Sequence, residues 1–121
     1  MGDIKKAMTL EGHINEFRAR YGKPPAISAE KIEHEYCQKH CLYMANCFEV
    51  MHAPECFMNG GAEIVGGCGY RHNDDDTIRF LLYEKIANSP GHLQILLEAR
   101  YLAHWFYVNN YIGYLTIRGW Q

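Results

Sequence analysis

The C-terminal stretch 101–118 constrains the fold of this chain more than any other segment. Tyr101-Leu102-Ala103-His104-Trp105-Phe106-Tyr107-Val108 and the run from Tyr111 to Arg118 are rich in aromatic and β-branched residues, with Asn109-Asn110 between them. That pattern predicts two antiparallel strands joined in a hairpin. The first strand carries large apolar groups on both faces: Leu102, Phe106 and Val108 on one, Tyr101, Trp105 and Tyr107 on the other. A sheet wetted on one side alternates apolar with polar residues, so this one needs a packed layer on each side.

The upstream sequence supplies helices for both layers. Leu10, Ile14, Phe17 and Tyr21 share a helical face, and Gly22-Lys23-Pro24-Pro25 stops the helix, because glycine suits a left-handed cap and proline cannot extend it. Ser28 is expected to cap a long second helix running to about Met51, with Glu30 in its first turn. From His52 to Asn73 the glycine-rich pieces Asn59-Gly60-Gly61 and Gly66-Gly67-Cys68-Gly69 suggest loop, with one short strand at Ala62-Glu63-Ile64-Val65. Asp74-Asp75-Asp76 opens a third helix carrying Ile78, Leu81, Leu82 and Ile86, which ends near Asn88. Ser89-Pro90 starts a fourth, with serine as cap and proline at the first helical position. The expected architecture is therefore α/β in the α+β sense, a three-layer α-β-α sandwich with a mainly antiparallel central sheet.

A length of 121 residues with no repeat or long linker fits one domain, residues 1–121. The formal charge of -2 offers no basic field for a phosphate backbone, which argues against a nucleic-acid partner. No apolar stretch approaches the ~20 residues of a bilayer span, and the start MGDIKKAMTLEGH lacks the apolar segment of a secretory signal, so a soluble chain is expected. The five cysteines, Cys37, Cys41, Cys47, Cys56 and Cys68, are an odd number, so at least one stays unpaired in a monomer. A disulfide, reduced core thiols and a thiolate metal site all remain open for them.

The sharpest local string is Asn88-Ser89-Pro90-Gly91-His92 followed by Leu93-Gln94-Ile95-Leu96. It puts His92 in the first turn of a capped helix, where the positive dipole end disfavours protonation and leaves the imidazole available as a ligand or base. The plainer alternative is a surface histidine near a helix start.

This string resembles the signature of bacterial members of the CAP superfamily, the cysteine-rich secretory, antigen 5 and pathogenesis-related group of SCP-like domains. Ile14-Asn15-Glu16-Phe17-Arg18 with Gly22-Lys23-Pro24-Pro25 is similar to the first helix of that family and its proline turn. His52 stands at the place of the first cleft histidine, and Ala62-Glu63-Ile64-Val65 resembles the family's Gly-Glu-Asn-Ile segment, with Glu63 on the cleft glutamate. Here Ala62 replaces the glycine and Ile64 the asparagine, while Glu84 is the nearest candidate for a fourth cleft residue. The resemblance spans about Leu10 to Trp120 and implies a cleft lined by His52, Glu63 and His92. It also suggests a secreted protein, whereas the start MGDIKKAMTLEGH leads to the expectation of no signal segment in the sequence as given.

Two imidazoles and a carboxylate suit a divalent metal such as zinc that keeps water in an open position. A CAP-like binding domain for such an ion, with its physiological ligand and protein partner unidentified, is the leading expectation. A metal-dependent hydrolase of peptidase or esterase type, with Glu63 as general base, is the catalytic rival. A non-metal interaction or lipid-binding scaffold is the third reading. Two other features compete for attention. His34, Cys37 and Cys41, with His40 or Cys47, share a helical face and could hold zinc, although small core residues with inert thiols are commoner at such spacing. Tyr101, Trp105, Tyr107, Tyr111, Tyr114 and Trp120 invite a lipid or carbohydrate groove, although aromatic strands are more often core.

Overall fold

The computed structural model describes residues 8–54 and 61–121. Four strands form one sheet in the order β1-β3-β4-β2: β1 (Ile27–Ser28), β2 (Ala62–Gly69), β3 (Tyr101–Asn109) and β4 (Ile112–Trp120). The β3–β4 hairpin is antiparallel from Tyr101↔Trp120 to Asn109↔Ile112, and β2 joins β4 antiparallel over its full length. Only the two-residue β1 runs parallel, against Tyr101 and Leu102 of β3. The expected hairpin is present, but its tight turn is Asn110-Tyr111 rather than Asn109-Asn110. Both turn residues take the left-handed conformation, at φ 51° and 62°, which matches the twist of a two-residue hairpin.

Helices cover both faces, as the two-sided apolar strands require. On one face lie α1 (Leu10–Arg20), α3 (Asp74–Phe80) with its π-helical continuation Leu81–Ile86, and α4 (Pro90–Glu98). Ile14, Phe17, Ile78, Leu81, Leu82 and Leu96 meet Leu102, Leu115, Ile117 and Ile64 of the sheet there. On the other face α2 (Lys31–Cys47) packs Cys41, Met44 and Ala45 onto Tyr114, Val65 and Tyr107. This is a three-layer α-β-α sandwich. Burying each large aliphatic side chain contributes about 1.5–3 kcal/mol, so the three-helix face supplies most of the apolar driving force.

Several boundaries differ from the sequence pattern, each for a local reason. Ser28 belongs to β1 and does not cap α2; Glu30 holds the cap position, and the Ser28 hydroxyl instead meets His34 Nε2 at 2.8 Å. The second helix stops at Cys47 because Phe48 turns left-handed at φ 52°, so His52 lies beyond the helix rather than at its end. Glycine-rich 66–69 is strand, since Gly67 faces Val50 so closely that a Cβ would lie 2.8 Å from its side chain. Here glycine marks close approach rather than loop. Asn59-Gly60 and Cys56 fall outside the described residues.

Candidate functional site

His92 is the third residue of α4, which Pro90 opens at a serine cap position, and its imidazole is half-buried. Burial, and secondarily the charge of His52, hold His92 below the usual histidine range, so it is neutral at pH 7 and keeps a lone pair. The His52 and His92 ring centres are 6.4 Å apart, with planes inclined at 63°. The third member, Glu63, sits on β2 with its side chain fully buried. Glu63 Oε1 accepts from the Ala53 amide at 2.8 Å and from His52 Nδ1 at 3.0 Å.

That pair of hydrogen bonds decides how the trio works. A carboxylate can only accept, so His52 Nδ1 is the donor in this pair and Nε2 is the ring nitrogen turned away from Glu63. This is the arrangement by which an outer carboxylate fixes the tautomer of a ligating histidine. The His52 side chain is 49 % exposed, which leaves Nε2 accessible. Glu63 Oε2 is buried and has no hydrogen-bond partner among the described residues.

The structure thus brings His52, Glu63 and His92 together, with Glu63 behind His52 rather than beside it. Among the described residues no group of three or more His, Cys, Asp or Glu side chains is arranged to hold a metal ion. Two imidazoles bound to one tetrahedral zinc at about 2.0–2.1 Å have ring centres roughly 5 Å apart, so a shift of about 1 Å would close this pair on an ion. The pair, with its carboxylate behind His52, would make a two-histidine site only after such a shift. The residues present do not fit a three-ligand site. Glu84 is exposed on the π-helical turn, where its backbone carbonyl accepts from Asn88, and no contact among the described residues ties its carboxylate to the trio.

Sequence reasoning missed the charges behind the cleft. Arg118 of β4 is the register partner of Glu63 and is 2 % exposed; its Nη1 lies 3.5 Å from Glu33 of α2. The charges of Arg118, Glu63 and Glu33 all reach the Cys37 thiol, so one buried acid, one half-buried acid and one buried arginine share this end of the α2 layer. The available signal was a charged residue on the same alternate face of β4 as Tyr114 and Thr116.

The rival thiol cluster does not gather. His34 Nδ1 accepts the backbone amide of His104 at 3.2 Å, and His40 Nε2 donates to the Met51 carbonyl at 2.5 Å. Burial pushes the Cys37 thiol far up and the Cys41 thiol up to about 12, so both are protonated core groups. Cys41 Sγ lies 3.2 Å from Thr116 Oγ1. Cys37, Cys41, Cys47 and Cys68 are free cysteines. The C-terminal aromatics are divided rather than aligned in one groove: Tyr114 is buried under α2, whereas Tyr111 is 87 % exposed at the turn.

These features define a class, an α+β sandwich with a histidine–carboxylate cleft. No family model and no curated protein matches the chain. Among solved structures it is similar to an outer surface protein from Borrelia burgdorferi, at 10% identity and a TM-score of 0.67, covering 91% of this chain and 87% of that one. At that identity the likeness shows a shared fold alone. No helix among the described residues is long and apolar enough to cross a membrane.

Proposed function

We propose that this chain is a CAP-like binding domain whose cleft takes a divalent metal, zinc foremost, between His52 Nε2 and His92. Glu63 serves as the buried carboxylate that orients His52. The observation that carries the reading is the 3.0 Å bond from His52 Nδ1 to Glu63, which directs Nε2 away from the carboxylate. With two protein ligands, water or an organic ligand completes the coordination. Hydrolysis with Glu63 as base is less well supported, because Oε1 already accepts from two donors and Oε2 is buried.

Metal analysis of untagged protein tests this. Zinc uptake is expected in the parent protein and is lost in the His52→Ala, His92→Ala double variant. Glu63→Gln is expected to weaken zinc about 10- to 100-fold while the fold persists. Full stoichiometry in the double variant would remove the cleft as the site.

A further inference from the structure

β2 forms one border of the sheet, and the hydrogen-bond phase of the ladder fixes which of its backbone groups point outward. The Tyr70 amide donates to the Tyr111 carbonyl at 2.7 Å, in line with the register of β2 on β4. Opposed residues of an antiparallel pair exchange bonds at every second position, so Cys68, Gly66 and Ile64 turn their amides and carbonyls to β4. Val65, Gly67 and Gly69 therefore turn theirs away from the sheet. The far border gives the same phase: the Leu102 carbonyl accepts from Ala29 and the His104 amide donates to His34, which leaves the odd-numbered residues of β3 to bond β4.

This open stretch has defined ends. Glu63, the preceding outward residue, is only 3 % exposed, and the Arg71 amide beyond the strand donates to Thr77 Oγ1 at 3.0 Å. Between them, no hydrogen bond among the described residues reaches the outward groups of Val65, Gly67 and Gly69; Gly69 is exposed and the other two are half-buried. No charged residue or proline stands within 64–69 to protect the border. On the α2 face an apolar side chain lies over it: a Cβ on Gly67 would sit 2.8 Å from Val50 Cγ2, and Val50 is itself 45 % exposed.

We propose that this border is an interface with a second copy of the chain, in which two β2 strands pair antiparallel about a two-fold axis at Gly67. The two four-stranded sheets become one continuous sheet. Gly67 faces the partner's Gly67, Val65 faces the partner's Gly69 and Gly69 the partner's Val65, and each of these pairs exchanges two backbone hydrogen bonds. A second copy is the occupant because the axis falls on the glycine beneath Val50. Each copy lays that valine over its own Gly67, so the two valines meet across the axis and cover apolar surface that an unrelated peptide would leave wet. The facing strands bring no like charges together, and an isologous contact of this kind closes after two copies.

Sedimentation equilibrium over a dilution series up to about 0.5 mM tests the pairing. A monomer–dimer equilibrium is expected for the parent protein. Gly69→Pro removes an outward N–H and no internal bond, and a Cβ there meets nothing within 4 Å, so the variant is expected to keep the parent circular dichroism. Its dimer is expected to weaken by about tenfold or more. Val50→Asp, at an exposed position, sets two like charges across the axis and is expected to do the same, which supplies the reading should Gly69→Pro fail to fold. The register is tested by Gly66→Cys, which stands opposite the partner's Cys68 in a non-hydrogen-bonded pair with Cα atoms about 4.5 Å apart, within disulfide range. Oxidised glutathione is expected to link Gly66→Cys into a covalent dimer, to leave the parent unlinked, and to link nothing once Cys68→Ser is added. A parent that stays monomeric throughout, a dimer as tight in the folded border variants as in the parent, or a crosslink that survives Cys68→Ser overturns the proposal.

Discussion

His104 shows how much one half-buried side chain does to the acid stability of the molecule. Burial, with the nearby charge of His34 second, lowers its pKa to about 4. The unfolded chain then takes up a proton near the ordinary histidine value while the native chain does not, so stability falls as pH drops from about 6.5 to about 4. Above that window both states are neutral and the group contributes no slope. The loss approaches about 1.4 kcal/mol per pH unit, or roughly 3 kcal/mol across the window. His92 shifts in the same direction and adds to it. Urea midpoints measured across this range should show the decline, and His104→Gln should flatten most of it; an unchanged slope would place the effect elsewhere. At this scale the sequence was legible for identity but not for role. His52, Glu63 and His92 stand out in the sequence, and His52 hydrogen-bonds Glu63 with its ring centre 6.4 Å from that of His92. That Glu63 spends its carboxylate on His52 and Ala53 was invisible, because it depends on a backbone amide and a tautomer rather than on residue type.

Elements owe their placement to a few polar ties that periodicity does not reveal. Arg18 is 3 % exposed, yet its guanidinium donates to the carbonyls of Pro24, Leu96 and Ala99 at 2.7 to 3.0 Å. One arginine of α1 thus satisfies the open C-terminal carbonyls of α4 and holds the proline turn. Asn15 assists by accepting the Ala26 amide at 3.1 Å. Replacing Arg18 by Met keeps much of the stem but leaves those carbonyls without donors, for an expected loss of about 3 kcal/mol in chemical denaturation. A change under about 0.5 kcal/mol would mean that water caps α4 equally well. The helices, the proline stop and the Ser89-Pro90 restart were readable because they follow local rules. The full length of β2 was not, since its glycines resemble loop until the side chains crowding them are seen.

At the level of the whole molecule, two-sided packing sets the tolerance to added volume. A Cβ on Gly113 would lie 2.8 Å from Thr77 and 2.9 Å from Phe106, whereas one on Gly66 would meet Leu81 at an ordinary 3.5 Å. Gly113→Ala should therefore destabilise by about 1–3 kcal/mol, and Gly66→Ala by much less. Comparable thermal midpoints for the two variants would show that α3 can move off the sheet without penalty. The same layering was the most legible part of the chain, because apolar residues on both faces of β3 leave no other stable arrangement. A further consequence comes from the brevity of β1. It pairs with only two rungs of β3, and at the His104 amide further along an imidazole from α2 stands in for a missing strand. That ring acts as a doorstop, occupying the amide that a foreign peptide would need for a foothold on this border.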